Sequence, residues 1–363
     1  MRLPESDRIL RSKLHFSIPS RLESATRKRA LALFSRLSAI TLAASLVFAP
    51  DVALCSDAWR TGVNLSGAEL NPGRNRPNID YVLPTTQQID YFTARGLLTF
   101  RIPVLSSRLF VSDKSIVTED WRALVGLIDY AARKGADVII DLHQYGAIDS
   151  RLIGRDASAT QEFAAVWGEI AARLRGRTNV IFGLMNEPHE QSAAEWLTGA
   201  NAAIAAIRKS GARQLILVPG SYWSGAHSWT KTDNGVVMTG VMDPGDNFAY
   251  ELHQYLDADS SGTSPQASLG AGKARLKEFT EWARARHAKA FLGEFGFAAT
   301  PEALAEGRAM LDFMAQNRDV WIGWAYWAAG AWWGDYMFSV EPKDGHDRPQ
   351  MSVLSAYGRA RRR

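Results

Sequence analysis

The chain has 363 residues, 46% hydrophobic and 22% charged, which is the balance of a globular protein with room for one large domain or two ordinary ones. Its net charge of +4 is unevenly placed: residues 1–55 carry nine Lys/Arg against four Asp/Glu, which leaves the body close to neutral and excludes a basic nucleic-acid-binding face. The lone cysteine, Cys55, excludes a disulfide framework, and it leaves the body without a thiol nucleophile or thiolate metal site.

In chain order, the first feature is Arg27-Lys-Arg29 followed by the apolar stretch Leu37 to Ala49. That stretch is too short to span a bilayer comfortably, and small residues follow it, as in an export signal. Cleavage is expected near Ala53-Leu54-Cys55 or Ser56-Asp57-Ala58, and the bulky Leu54 argues against lipid attachment at Cys55. Residues 1–55 are therefore expected to be an export-signal region, and 56–363 one folded domain, secreted or periplasmic. It should be a monomer with no stable membrane association once the signal is removed.

From residue 56 onward, short apolar runs alternate with amphipathic stretches of helical length. Strands are expected at Thr61–Leu65, Leu97–Val104, Asp137–His143, Asn179–Met185, Gln214–Val218, Phe248–His253, Ala290–Phe295 and Val320–Trp327. Helices are expected at Thr86–Arg95, Thr118–Lys134, Ala159–Arg175, Ala193–Lys209, Lys273–His287 and Pro301–Asn317, with a last one running from Gln350 into the basic tail. Gly96, Gly135, Gly176 and Gly211 stand where helices should stop. Eight strands alternating with helices over this length predict an α/β fold, a (β/α)8 TIM barrel. Residues 219–247 break the rhythm with Tyr222, Trp223, His227, Trp229 and several glycines, and a long irregular segment within a compact domain is usually functional.

In such a barrel the active site is built at the carboxyl ends of the strands. Most of the expected strands there finish on polar or aromatic residues: Arg101, His143, Asn186-Glu187-Pro188, His253 with Tyr255, Glu294 and Trp327. Taken singly, an Arg, a His or a Trp is explained by structural pairing or packing. Their joint arrival at one rim suggests chemistry. Two carboxyl groups flanking a glycosidic bond divide the work, one as acid and the other as nucleophile or base, and they need different surroundings to do so. Arg101 beside one of them would keep it ionised, and Tyr255 would donate a hydrogen bond to it. A Glu enclosed by Asn186 and aromatic walls without a cation would be pushed up and serve as the acid. Trp327 offers a flat apolar face to a sugar ring. The loop tryptophans Trp59, Trp223, Trp229, Trp332 and Trp333 are candidates for lining the same cleft, and Trp321 and Trp324 read as core. A metal-dependent hydrolase is disfavoured, because neither His-x-His nor His-Glu-x-x-His spacing occurs.

This ordered set resembles glycoside hydrolase family 5, over about residues 59 to 340. The segments Glu251-Leu-His-Gln-Tyr-Leu-Asp257, Tyr326-Trp-Ala-Ala-Gly330 and Phe338-Ser-Val-Glu-Pro342 are similar to its fungal-type endoglucanase branch. The resemblance implies a secreted retaining endo-β-1,4-glucanase acting on soluble or amorphous β-glucan by double displacement, with 56–363 as its catalytic domain; the alternatives are a hydrolase of the same family acting on β-mannan or xyloglucan, or a glycan-binding protein without turnover. It implies Glu187 as general acid/base and Glu294 as nucleophile. Asn186 would hold the sugar 2-hydroxyl, Arg101 and Tyr255 would position Glu294, and His143 and His253 would line the cleaved sugar's site. No cofactor and no metal are implied. The missing cellulose-binding module and linker argue against crystalline cellulose.

Overall fold

The computed structural model describes residues 59–110 and 117–358. The expected export signal, with Cys55, lies outside these residues, as does the tail 359–363. Eight parallel strands close into a barrel: β1 Arg60–Leu65, β2 Thr99–Val104, β3 Asp137–Leu142, β4 Val180–Gly183, β5 Ile216–Pro219, β6 Phe248–His253, β7 Ala290–Glu294 and β8 Trp321–Ala329. Each strand hydrogen-bonds to its sequence neighbours, and β8 closes on β1. The principal helices are α1 Thr86–Thr93, α2 Glu119–Arg133, α3 Ala157–Leu174, α4 Ala193–Lys209, α5 Ala271–Arg284 and α6 Pro301–Gln316. The fold is the (β/α)8 barrel the pattern predicts.

Local chemistry accounts for the helix starts. The Thr85 and Ser192 side chains form capping boxes with Gln88 and Glu195, and Thr118, Asp156 and Thr300 accept from the first turns of α2, α3 and α6. No side chain of its own caps α5. Instead Glu306 on α6 accepts from Gly270 N and Gly272 N at 2.7 and 2.9 Å, satisfying two otherwise orphaned donors. The last expected helix is only a turn, Met351–Leu354, followed by a 3-10 turn to Tyr357. Gln350 anchors this segment by donating to Phe297 and Met337 carbonyls.

The period-2 alternation of the strands sorts side chains between two cores. Outward residues pack against the helices in one large cluster. Inward residues Ile139, Ile181, Leu217, Ala249, Phe291, Ile322 and Ala325 form a separate apolar plug. Two residues further along the same faces of β3 and β6 come Asp141 and Glu251, both fully buried. An ionic layer therefore rests on the apolar plug, and the rim residues stand above that layer.

Candidate active site

The ionic layer is organised by Arg101, which is wholly buried on β2. Its Nε donates to Glu251 Oε1 at 2.9 Å, Nη1 to Asn64 Oδ1 at 2.8 Å and Nη2 to Asn186 Oδ1 at 2.9 Å. Nη2 also lies 3.1 Å from Asp141 Oδ2, and Nη1 lies 3.6 Å from Glu294 Oε2. Burial works against the guanidinium charge, but Asp141 and Glu251, with Glu294 behind them, hold its pKa above the ordinary value. Asp141 is likewise buried and still sits below the usual carboxylate range, held there by Arg101 and His143.

Glu187 and Glu294 meet above this layer. Glu187 follows the end of β4 with a φ of 41°, a left-handed conformation uncommon for a residue with a side chain and concentrated at functional sites. Its surroundings hold it there: Asn186 N donates to Leu142 O, Trp223 N donates to Pro188 O, and His189 Nδ1 lies 2.9 Å from the Glu187 carbonyl. Glu294 is raised to the same level by an irregularity in β7. Leu252 pairs with Leu292, but His253 pairs with Glu294, so Gly293 is the extra residue.

Tyr255 donates to Glu294 Oε1 at 2.5 Å. Burial and the nearby Glu294 charge hold the Tyr255 hydroxyl in its protonated, donating form. Among the described residues Glu294 Oε2 accepts no hydrogen bond, which leaves its lone pairs free. His253 stands between the two acids, Nδ1 2.8 Å from Glu187 Oε1 and 3.8 Å from Glu294 Oε2. One oxygen of each acid and a ring nitrogen of His253 all lie within 4.8 Å of one another. Such a trio offers ligand atoms for a cation. However, the Arg101 guanidinium 3.6 Å from Glu294 and the charge on His253 oppose one there.

The electrostatics differ from the sequence expectation in two respects. Glu187 does have a cationic neighbour, because His253 contacts it directly. Burial opposes a charge on that ring, but Glu294 and the bonds to Glu187 and Glu251 raise its pKa to about 10. Glu294, beside Arg101, is not held low. Burial pushes its carboxyl up and Glu187 adds to the push, against the pull of His253 and Arg101. The physical reason is that Arg101 is already shared by Asp141 and Glu251.

His143 donates from Nδ1 to Asp141 Oδ2 at 2.7 Å and stacks on Trp327 with centroids 5.7 Å apart. Trp327 in turn meets Trp333 edge-on, and the Trp327–Ala328 peptide is cis. Trp223, 53% exposed, stacks on His189 at 4.6 Å and 8°. It lines a cleft of about 620 Å³ with Glu187, His227, His253, Tyr255 and Ser261. The structure thus brings together Arg101, His143, Asn186, Glu187, His253, Tyr255, Glu294, Trp327 and Trp223.

Trp229 is a correction. It is fully buried, because its ring packs against Tyr250 on β6 and against Phe279 and Trp282 on α5. Trp59 is a second correction: it precedes β1 at the barrel's amino end, under Arg318. Trp332 is exposed, and Trp321 and Trp324 are core.

Sequence reasoning missed Asp141, Glu251, Asn64 and Tyr145. The first two had a legible signal, since each precedes a rim histidine by two residues and so shares its face of the strand. Tyr145 lies beyond the end of β3, with its hydroxyl 3.4 Å from His143 Nε2. Nothing in its spacing marks it.

A (β/α)8 barrel carrying two acids this close on its carboxyl rim has the site of a glycoside hydrolase. The sequence pattern of the cellulase family (glycosyl hydrolase family 5) matches residues 56–330, and the chain belongs to that family. Endo-beta-1,4-glucanase B of Aspergillus niger is 36% identical over 290 residues, 78% of this chain and 85% of that protein. The endo-beta-1,4-glucanase Xac0029 of Xanthomonas axonopodis pv. citri superposes with a TM-score of 0.79 at 42% identity, over 82% of this chain and 97% of that one. The structure of XacCel5A in complex with cellopentaose is similar at TM-score 0.80 and 40% identity, over 83% of this chain and 99% of that one.

Proposed function

We propose that this protein is an exported, retaining endo-β-1,4-glucanase that cleaves internal bonds of soluble or amorphous β-glucan as a monomer. The observation that carries this reading is the spacing of the two acids. Retaining enzymes hold their carboxyl groups about 5–5.5 Å apart, whereas inverting ones need about 6.5–9.5 Å to admit a water. One oxygen of Glu187 and one of Glu294 lie within 4.8 Å of each other, a close approach in keeping with the first class.

In the proposed double displacement, Glu294 Oε2 attacks the anomeric carbon while Tyr255 holds Oε1. Glu187 gives its proton to the leaving oxygen; it is the more open of the two, its side chain 16% exposed against 8% for Glu294. Glu187, now a base, then takes a proton from the water that breaks the glycosyl ester. Asn186, whose Oδ1 is held by Arg101, presents its amide N–H to the sugar 2-hydroxyl. Trp327 and Trp223 give flat faces to the sugars. The names of the relatives support β-1,4-glucan as substrate, and the XacCel5A complex supports an oligosaccharide of that type. For residues 1–55 the reading is a cleaved leader preceding the catalytic domain 56–363.

The test is product analysis on carboxymethyl-cellulose, mixed-linkage glucan, mannan and xyloglucan, with proton NMR of the first anomer released. A fast viscosity drop on the first two with β-anomer first supports the reading. Activity confined to mannan or xyloglucan replaces the substrate, and α-anomer first overturns the mechanism. N-terminal sequencing of exported protein tests the leader.

A further inference from the structure

Glu251 is a buried acid that the double displacement does not use. It is wholly enclosed on β6. Its Oε1 accepts from Arg101 Nε at 2.9 Å and lies 3.7 Å from His253 Nε2. Among the described residues its Oε2 accepts no hydrogen bond. The barrel makes room for it: a Cβ on Gly293 would fall 2.1 Å from Glu251 Oε1, and one on Gly183 would fall 3.5 Å from Oε2. A buried carboxylate is costly unless it is paired, and here it is paired with two groups that lead to opposite sides of the reaction. Arg101 leads to Asn186 and Glu294, and His253 leads to Glu187.

We infer that Glu251 is a positioning residue for catalysis, fixing the Arg101 guanidinium plane and the His253 ring with one carboxylate. This rests on the hydrolase reading above. The charged and titratable groups around it are Arg101 from β2, Asp141 and His143 from β3, Glu187 after β4, His253 on its own strand and Glu294 on β7. Its hydrogen-bonded neighbour β5, Ile216–Pro219, brings no titratable side chain. Arg101 is held by two acids, and Asp141 takes only its Nη2 edge. The Nε edge belongs to Glu251, so loss of that charge lets the guanidinium turn away from Asn186 and Glu294. It also removes an anion close to His253, and the ring then binds its proton less tightly.

The test is Glu251→Gln, which keeps shape and removes charge, in the full-length protein. The His253 titration is followed by NMR without substrate, and kcat and KM are measured across pH on carboxymethyl-cellulose. The expected result is a His253 titration lower by roughly 1 pH unit or more. With it comes a loss of about 10²-fold carried in kcat rather than KM, because the misplaced groups act in the transition state. Wild-type kcat/KM with an unmoved ring titration overturns the inference. So does a kcat/KM loss with an unmoved titration, which would mark a packing residue. Should Glu251→Gln fail to fold, Glu251→Asp keeps the charge but falls short of Arg101. It is expected to retain the pH profile at lowered kcat, and undiminished kcat there overturns the inference. The ring titration is read without turnover, so an error in the assigned substrate leaves it standing as a separate result.

Discussion

At the scale of single residues, Glu187 and Glu294 are the same side chain in different settings, and the settings support the separate roles proposed for them. Glu294 has one oxygen held by Tyr255 and the other free, as suits an attacking atom. Replacing it by Gln removes the proposed nucleophile from an unchanged shape. Turnover should fall by at least about 10³-fold while the melting temperature stays within a few degrees. Recovered activity in purified protein would remove Glu294 from its role. Glu187→Ala removes the proposed acid instead, with an expected loss of about 10²–10⁴-fold on substrates with poor leaving groups. Azide with an activated aryl glycoside should restore turnover, because the activated group leaves without an acid and the azide anion attacks the glycosyl-enzyme without a base, and absence of rescue would point to another acid. The tryptophans divide by burial. Trp229→Ala empties a closed site beside Tyr250 and Trp282 and should cost about 3–5 kcal/mol of stability by denaturant titration. Trp223→Ala should leave stability nearly untouched. It should raise KM severalfold, as expected from roughly 50 Å² of lost apolar contact at about 25 cal/mol/Å².

The site was partly legible in the sequence for a reason visible in these same residues. Arg101, His143, Asn186, Glu187, His253, Tyr255, Glu294 and Trp327 interrupt or close apolar runs, and polar interruptions of a buried strand stand out. Asp141 and Glu251 lie inside such runs, where a lone acid suggests an ion pair of unknown partner. Only the barrel's closure shows that both face Arg101. Trp223 and Trp229 are indistinguishable by sequence, since both lie in the same irregular loop. Only the path of that loop decides which faces the cleft.

At the scale of elements, the barrel was legible because period 2 and period 3.6 alternate with little interruption from residue 60 onward. What remained illegible is small or end-dependent. The two-residue ribbon strands Ala147–Ile148 and Arg151–Leu152 are too short to show a period, and β8 extends two residues past its expected end. The β7 irregularity was likewise hidden, although it decides the height of Glu294. Gly293 is the point where it can be broken. A methyl there would meet the Glu251 carboxylate at 2.1 Å and its carbon skeleton at 2.7–2.8 Å. Gly293→Ala should therefore cost about 1–3 kcal/mol through overpacking. It should also lower kcat disproportionately, since Glu294 is the next residue. Unchanged kcat in a folded variant would show that strand and acid are not coupled at this position.

At the scale of the whole molecule, an ionic layer sealed between an apolar plug and the substrate cleft ties stability to pH from both sides. Asp141 is held below its ordinary value of 3.8, so its contribution is present above that pH and is lost as pH falls through the lowered value. His253 works in the opposite sense. Its pKa is raised from 6.5 to about 10, so its contribution is complete below about pH 6.5 and is lost as pH climbs through 10. Glu294, pushed up by burial, opposes stability once it ionises and so lowers the plateau between these limits. The expected calorimetric profile is a broad maximum at mildly acidic to neutral pH, with a melting temperature that declines steadily between pH 7 and 10. His253→Asn replaces the ring with a neutral group, and only stability need be read from it. Its melting temperature should start lower at pH 6, and the alkaline decline should flatten. If the variant declines in parallel with the parent protein, the alkaline loss comes from lysines and tyrosines at the surface. The buried layer would then hold its shape by packing and hydrogen bonds, with His253 contributing no charge to it.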